Sequence, residues 1–268
     1  MVTLVLPRLV SFEGAPRRSA SVAERNFTAL RSAYWLVLVS GFLEPVLYLF
    51  SIGVGVGALV GDLTLPGGQV VSYAAFVAPA MLASSAMSGA LSETTFNFFG
   101  KMKYMKLYDG VIATPVQPFE IALGELAWAM IRGSLYSAAF LVIMVVADLT
   151  TAARAAVAFP AAVLVGFAFG ALGMSVSTLM RSWQDFDLMG SAQFTLFLFS
   201  GTFVPAEAYP VALRWLVEAT PLYRSVHLIR EICVGGSGGW PLDVAYLVVL
   251  TVGMLALASR RMGRMLYR

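Results

Sequence analysis

The sequence predicts an all-helical integral membrane protein with six transmembrane helices. Of its 268 residues, 59% are hydrophobic and only 12% are charged. Continuous apolar stretches recur along the chain, and each has the length of about 20 residues that crosses a bilayer core as a helix. Membrane β-barrels instead alternate apolar and polar residues. The composition therefore favours a helical bundle over a barrel or a water-soluble domain.

An amphipathic helix is predicted just before the first membrane span, within an N-terminal segment of residues 1–33. Glu24 completes a capping box with a serine three residues earlier. Phe27 then lies on an apolar stripe, whereas Arg25 and Arg31 lie on other faces. This pattern is typical of an interfacial helix on the cytoplasmic leaflet, with a frayed tail as the alternative.

Six spans are predicted within a single transmembrane domain, residues 34–259, followed by a basic tail, residues 260–268. The spans cover residues 34–60, 72–96, 119–147, 155–180, 187–205 and 241–259. Thirteen of the eighteen Lys and Arg residues then lie in the segments on one side of the membrane and four on the other. Because cytoplasmic segments are richer in these residues, both termini are expected in the cytoplasm. The expected location of the chain is the plasma membrane.

The segment between the fifth and sixth predicted spans, residues 205–240, is too polar for an ordinary crossing. It mixes Pro, Glu and Arg with apolar residues and ends in a glycine-rich stretch, residues 235–239. Irregular backbone at membrane depth is tolerated only where protein shields it or where it faces water. We therefore expect a re-entrant or short-helix segment on the extracytoplasmic side.

Catalytic and nucleotide-binding motifs are missing from the sequence. It contains no phosphate-binding loop of the form G-x-x-x-x-G-K-[ST]. His227 is the sole histidine and Cys233 the sole cysteine, so a nucleophile–base pair, a disulfide and a cysteine metal cluster are not expected. Basic residues lie between apolar segments, which argues against nucleic acid as a partner. The chain is predicted to be non-catalytic and to bind no cofactor itself.

The longest internal hydrophilic connection, residues 97–118, follows the second predicted span on the cytoplasmic side. Its Lys, Tyr, Met and Leu residues suit a short amphipathic helix that rests against another protein. The residues predicted to form this coupling segment are Lys101, Lys103, Tyr104, Lys106, Leu107, Tyr108 and Asp109. A solvated loop with positive-inside lysines is the alternative.

Three residues inside the spans are candidates for a transport pathway or a helix interface. Glu44 is an ionisable group in the first span, where a charge is costly unless it is paired or hydrated. Phe194 and Phe197 in the fifth span are suited to a hydrophobic conduit or a subunit interface. Lipid-facing phenylalanines are the alternative.

Two further features concern the third and fourth spans. Arg132 lies within the third span, and its long side chain is expected to reach the inner interface by snorkelling. Gly166 and Gly170 in the fourth span have the small-xxx-small spacing that lets helices approach closely in lipid.

A resemblance to ABC-2-type transporter permeases is carried by the run KLYDGVIATPVQPFEIALGE. Within that family, the chain is similar to the permeases of nodulation-factor (lipo-oligosaccharide) exporters and of daunorubicin-type drug exporters. The resemblance extends, in the expected order, to RNFTALR, EPVLYLFSIGVGVG, SGTFVP and PLYRSVHLIRE. These stretches are distributed over most of the chain.

The resemblance implies a permease subunit of an ABC exporter that moves an amphipathic molecule, such as a lipid-linked saccharide, a lipid or a hydrophobic drug. It implies a second permease protomer, expected to form a homodimer, and two copies of a cytoplasmic ATP-binding subunit that holds ATP and Mg²⁺. Surrounding membrane lipids are further partners. The family's coupling helix maps onto about residues 98–114, and its N-terminal helix, here around residues 22–31, borders the ATPase.

Two other function classes stay open. An ion- or proton-coupled secondary transporter would use Glu44 and other membrane carboxylates, and it would transport without an ATPase. A membrane enzyme acting on lipid would need a cluster of His, Asp or Glu at one membrane face, and the single histidine argues against it.

Overall fold

The computed structural model describes residues 19, 22, 43, 47, 50–64, 70–235 and 238–266, and this part of the chain is mostly helical. The predicted interfacial helix residues Glu24, Arg25, Phe27 and Arg31 lie outside the described residues, as do Glu44 and most of the first predicted span.

The described helices follow one another along the chain with one small hairpin among them. A π-helical turn, Ser51–Val56, precedes a short helix, Gly57–Val60, and strands β1 (Asp62–Thr64) and β2 (Val70–Ser72) pair antiparallel after it. In chain order the helices are α1 (Gly57–Val60), α2 (Tyr73–Tyr104), α3 (Leu107–Val111), α4 (Pro118–Val146), α5 (Ala152–Ser177), α6 (Asp185–Leu198), α7 (Val211–Ala219), α8 (Pro221–Val234) and α9 (Trp240–Leu266). The hairpin was not predicted.

Among the residues that the structure describes, four helices are long and apolar enough to cross a membrane: α2, α4, α5 and α9. They correspond to the second, third, fourth and sixth predicted spans. Two of them extend beyond the predicted ends, because Lys and Arg are good helix formers whose long side chains reach water from a membrane helix. Helix α2 continues to Tyr104, into the predicted coupling segment, and α9 continues to Leu266, so most of the predicted basic tail is helical.

The helix found at the fifth predicted span is shorter than the predicted range, residues 187–205. Helix α6 has 14 residues, and this gives a length of about 21 Å against a hydrocarbon layer of about 30 Å. The chain leaves the helix after Leu198, Gly201 adopts a φ of +70°, and the hydroxyl oxygens of Ser200 and Thr202 lie 2.6 Å apart. A left-handed glycine and locally bonded hydroxyls favour a turn over a helix. The six-span count stays a prediction.

The segment between α6 and α9 is divided into short helices, in agreement with the sequence. A 3₁₀ turn, Ala206–Ala208, precedes α7 and α8. Helix α8 has Pro221 at its first position, and the Thr220 hydroxyl accepts a hydrogen bond from the N–H of Tyr223 at 3.3 Å. A fixed proline φ and a threonine cap together specify this helix start.

Helix α5 lies at the centre of the bundle and packs against α2, α4, α8 and α9. Its glycines permit the close approach to α4. A Cβ on Gly166 would lie 2.9 Å from the sulfur of Met130, and a Cβ on Gly170 would lie 2.5 Å from Cδ1 of Leu126. The predicted role of these two glycines in helix packing is confirmed.

Candidate functional site

The predicted coupling segment, residues 97–118, begins inside α2, contains α3 and ends at the start of α4. Helix α2 is α-helical over Tyr73–Ser92 and then contains two π-helical turns, Glu93–Asn97 and Gly100–Tyr104. Lys106 has a φ of +46°, a left-handed conformation that is uncommon outside glycine. This residue turns the chain into α3, whose Tyr108 ring is buried with its centroid 5.4 Å from that of Phe98. Tyr108 therefore holds α3 against α2.

The seven predicted coupling residues separate into an inward-facing and an outward-facing group. Lys101 forms an ion pair with Glu125 of α4, Tyr108 is buried, and Leu107 is partly buried against the core. The side chains of Tyr104, Lys106 and Asp109 are exposed, and that of Lys103 is partly exposed. Only the outward-facing group is positioned to contact another protein.

Two ion pairs connect this end of α2 to α4. Lys101 Nζ lies 2.7 Å from Glu125 Oε2, with side chains 21% and 5% exposed. Arg132 of α4 pairs with Glu93 of α2, and Asn97 donates to the second carboxylate oxygen of Glu93 at 2.9 Å. The sequence analysis did not predict this pairing of Arg132 with a carboxylate on the neighbouring helix. The expected snorkelling of Arg132 to the interface stays a prediction. These pairs oppose relative movement of α2 and α4.

Five aromatic rings, here called the aromatic cluster, join the end of α2 to the start of α6. They belong to Phe96, Phe99, Tyr104, Trp183 and Phe186. Trp183, in the connection between α5 and α6, stacks on Tyr104 with ring centroids 5.2 Å apart and on Phe186 at 5.3 Å. Its edge also contacts Phe99 at 5.3 Å. Such pairs stabilise by about 0.5–1.5 kcal/mol each beyond their burial.

Asp185 fixes the connection that carries Trp183. Its carboxylate accepts hydrogen bonds from the backbone N–H of Arg181 at 2.6 Å and of Ser182 at 3.2 Å. These two bonds stabilise the charged form and lower the pKa of Asp185 below its usual value. These hydrogen bonds fix the backbone of the connection between α5 and α6, and so they hold Trp183 against the end of α2.

The aromatic cluster is the centre of an exposed apolar face. Phe96 is 53% exposed, Tyr104 58% and Met105 74%, and Leu179 in the neighbouring connection is 54% exposed. Lys103 and its neighbouring charges lie along the same stretch of chain. An exposed apolar patch rimmed by polar residues is typical of a protein or membrane contact. We call these residues and the aromatic cluster together the aromatic face.

The N-terminal segment reaches the same end of α4. Ser19 and Val22 are helical and buried. A Cβ on Gly124 would lie 2.7 Å from the backbone oxygen of Ser19 and 2.7 Å from Cβ of Val22. Gly124 immediately precedes Glu125, so this contact adjoins the Lys101 ion pair. Only a glycine allows the backbone of Ser19 to approach α4 so closely.

The two phenylalanines predicted for a pathway lie on α6, away from the aromatic cluster. Phe194 is 61% exposed, and Phe197 is partly buried with its ring centroid 5.3 Å from that of Phe203. The role of Phe194 and Phe197 in a pathway stays a prediction.

Several residues of this site were missed by the sequence analysis. Glu93 and Glu125 are carboxylates inside the second and third predicted spans, and each pairs with a basic residue for which the sequence analysis named no partner. Trp183 and Phe186 are two large aromatic residues three positions apart in a short polar stretch of the sequence, RSWQDFD. That local density was a usable signal, but their meeting with α2 depends on the tertiary fold.

The geometry defines a helical membrane protein whose apolar helices surround α5 and whose polar ends carry an aromatic face and ion pairs. The ABC-2 type transporter family matches residues 20–234. The chain belongs to this family and is a membrane permease of that type, as the resemblance of its motifs predicted. It is an integral membrane component of a transporter.

Curated relatives extend this relationship over most of the chain. Nodulation protein J of Rhizobium leguminosarum bv. trifolii is 35% identical over 216 residues, 80% of each chain. Nodulation protein J of Rhizobium leguminosarum bv. viciae is 32% identical over 216 residues, 80% of this chain and 82% of the relative. Nodulation protein J of Bradyrhizobium diazoefficiens is 30% identical over 250 residues, 91% of this chain and 94% of the relative.

Proposed function

We propose that the chain is the membrane-spanning subunit of an ATP-driven exporter and that a separate cytoplasmic ATP-binding subunit docks on the aromatic face. The observation that carries this proposal is the exposure of Tyr104 and Met105 beside Trp183. Large apolar side chains that are flanked in sequence by Lys103 and Lys106 suit a partner with an apolar pocket and an acidic rim. The nucleotide, ATP with Mg²⁺, is bound by that partner.

Force applied at the aromatic face has a direct route into the bundle. A partner that pushes on α3 or Trp183 moves the end of α2, because Tyr108 and the aromatic cluster hold these parts together. The ion pairs of Glu93 and Lys101 then transmit the movement from α2 to α4. The π-helical turns lie along this route, and such turns occur frequently at functional positions in helices.

The complete transporter in this proposal contains two permease protomers, expected to be identical, and two ATP-binding subunits. The N-terminal segment, anchored at Gly124 beside the Lys101 ion pair, borders the ATPase. The complex lies in the plasma membrane with both termini in the cytoplasm, since the excess of Lys and Arg in those segments favours this orientation.

The cargo in this proposal is an amphipathic molecule of the lipo-oligosaccharide type. The support is the similarity to relatives named Nodulation protein J together with the motifs shared with nodulation-factor exporter permeases. Hydrophobic drugs and other lipid-linked saccharides share the same chemistry of a polar head and an apolar tail. A transport assay with a fluorescent lipo-oligosaccharide and a fluorescent apolar drug separates these cargos.

Co-purification in mild detergent tests the proposed partner. We expect the wild-type chain to retain a polypeptide with a phosphate-binding loop, and we expect the complex to hydrolyse ATP in a vanadate-sensitive way. Trp183→Ala should reduce both retention and hydrolysis. Trp215→Ala removes an exposed aromatic ring of α7 that lies outside the aromatic cluster, and this matched control should preserve both.

Two results would contradict the proposal. One is equal retention of the ATPase by the Trp183→Ala variant, which would remove the aromatic face from the interface. The other is transport by the chain alone in response to a proton gradient, which is the behaviour of a secondary transporter.

A further inference from the structure

A cluster of ionisable side chains connects α8 to the first turn of α9. His227 Nδ1 lies 2.6 Å from Asp243 Oδ2, and Arg224 donates to Asp243 Oδ1 at 3.2 Å. The Asp243 side chain is completely buried. Helix α8 is also fixed to the first turn of α2, because Arg230 donates to the carbonyl of Phe76 at 3.1 Å. The cluster is therefore at the end of α2 that is remote from the aromatic face.

Glu231 adds a carboxylate with one oxygen that is unsatisfied. It lies one helical turn after His227, on the same face of α8, and its side chain is only 8% exposed. Its Oε1 accepts a hydrogen bond from the N–H of Gly238. Within the described part of the chain, Oε2 has no hydrogen-bond partner, although it is buried and lies 3.8 Å from His227 Nδ1. A buried carboxylate oxygen without a partner is costly and calls for a ligand.

The glycine turn before α9 closes over this cluster. Gly238 adopts a φ of +88°, and a Cβ on Gly239 would lie 3.1 Å from Cε1 of His227 and 3.8 Å from Oε2 of Glu231. The space next to the three side chains therefore suits an ion rather than a larger molecule. The side chain of His227 is 33% exposed, which leaves an entry path from solvent.

We propose that His227 Nδ1, Glu231 Oε2 and Asp243 Oδ2 bind a divalent transition-metal ion, with Zn²⁺ as the best match. The three atoms lie within 4.8 Å of one another. Zinc binds imidazole nitrogen and carboxylate oxygen at about 2.0–2.2 Å, so tetrahedral ligands lie about 3.3 Å apart. To reach this separation, the 2.6 Å contact between His227 and Asp243 opens by about 0.7 Å, and the 3.8 Å contact between His227 and Glu231 closes by about 0.5 Å. The widest separation in the group, at most 4.8 Å, closes by up to about 1.5 Å. Water takes the fourth position.

The donor set distinguishes this class of metal from the hard cations. Calcium takes about 6–8 oxygen ligands and magnesium a nearly ideal octahedron of oxygens, whereas one imidazole with two carboxylates suits Zn²⁺ or Co²⁺. Arg224 holds the other oxygen of Asp243 and so orients Oδ2 towards His227, as an outer-shell partner does in metal sites. The hydrogen bond with Asp243 raises the pKa of His227, so protons compete with the metal.

A bound metal would link α8 to α9 across the glycine turn. Because α8 packs on α2 and α5, the metal would fix the end of the bundle that is remote from the aromatic face. The inference does not depend on the proposed ATPase partner, and it is tested on the purified chain alone. We expect Zn²⁺ to raise the midpoint of thermal unfolding of the wild-type protein.

The decisive experiment is a Co²⁺ titration of the full chain without an affinity tag, purified in detergent, treated with chelator and kept in mildly alkaline buffer. His227 is the only histidine, so a visible cobalt–imidazole absorption reports this site. We expect one Co²⁺ per chain, displaced by Zn²⁺ and retained in excess Mg²⁺. His227→Gln and Glu231→Gln should each weaken binding at least about tenfold. Glu218→Gln, from the ion pair with Arg214 on α7, is the matched control and should bind as the wild type does.

The proposal is overturned if the wild-type chain shows no saturable cobalt absorption, or if His227→Gln binds Co²⁺ with unchanged affinity. Equal weakening in Glu218→Gln would also overturn it, because the effect would then be general. If Glu231→Gln does not yield a folded protein, the partly exposed position of His227 allows His227→Gln to decide the question.

Discussion

The ion pair between Arg132 and Glu93 gives the sharpest prediction about how the bundle is held together. Arg132→Met removes the positive charge from α4 and keeps a side chain of similar length. Glu93 on α2 then keeps its negative charge in a position that is only 14% exposed. Its hydrogen bond from Asn97 persists, but a neutral amide does not compensate a carboxylate. We expect Arg132→Met to destabilise the packing of α2 against α4.

The magnitude follows from the burial of the two side chains, which are 20% and 14% exposed. Exposed ion pairs contribute about 0–1 kcal/mol, and removing one partner of a fully buried pair costs about 3–5 kcal/mol. The partial burial places this pair between those limits, at about 2–3 kcal/mol. A chain of this size loses about 2–4 °C in unfolding midpoint per kcal/mol, so the expected decrease is about 4–12 °C.

Thermal unfolding of the purified protein in mild detergent measures this effect. The double variant Glu93→Gln with Arg132→Met should recover most of the loss, since replacing both charges of a buried pair is often nearly neutral. Glu218→Gln, which breaks the more exposed Arg214–Glu218 pair, is the control and should shift the midpoint by about 2 °C or less. A double variant less stable than Arg132→Met, or an Arg132→Met midpoint equal to that of the wild type, would refute the reasoning.

Three further predictions concern packing, thiol chemistry and coupling. Gly124→Ala should lower the free energy of unfolding by about 1–3 kcal/mol and speed proteolysis of the N-terminal segment. The control Gly133→Ala, where a Cβ meets open space, should be neutral or slightly stabilising. A destabilised Gly133→Ala would count against the contact of Gly124 with Ser19 and Val22 as the cause. Burial raises the pKa of Cys233 to about 11. The rate of thiol alkylation should therefore be low at neutral pH and rise only as the pH approaches that value. Rapid labelling of the native protein at neutral pH would contradict this burial. Replacing the exposed Asp109 should abolish transport and stimulated ATP hydrolysis while membrane insertion persists, and normal stimulation would argue against the coupling assignment.

Hydrophobic composition was sufficient to predict most of the long helices. The third predicted span, residues 119–147, corresponds closely to α4, because Gln117, Pro118 and Glu120 provide a complete helix start. Charge was a poor guide to helix ends. Lys101 and Lys103 were assigned to a separate hydrophilic connection after the second span, yet α2 continues through them to Tyr104. A lysine at a membrane boundary marks the water interface and not the end of the helix, whose backbone hydrogen bonds continue past it.

The fifth span shows the opposite error. Residues 199–205 read as a continuation of an apolar run, but Gly201 and its neighbouring hydroxyls end the helix at Leu198. These residues favour a turn, but the hydrophobicity along the run is uniform and gives no sign of where the helix ends. A span predicted from apolar content alone includes such a turn.

The contacts of the functional site depended on tertiary structure. Position and polarity predicted the coupling segment, but the inward orientation of Tyr108 follows from the left-handed turn at Lys106. Trp183 is distant in sequence from Tyr104, so no local pattern predicts that their rings stack. The pairing of Arg132 with Glu93 requires the register of two helices, which apolar periodicity in a buried bundle does not determine.

The central claim is that an ATPase bound at the aromatic face drives this permease. Its most direct test compares proteoliposomes that contain the chain with its ATP-binding partner and proteoliposomes that contain the chain alone, with a fluorescent lipo-oligosaccharide as the transported probe. The claim predicts accumulation against a gradient only with the partner and ATP, with loss of accumulation in the Trp183→Ala complex. Accumulation by the chain alone under a proton gradient would contradict it.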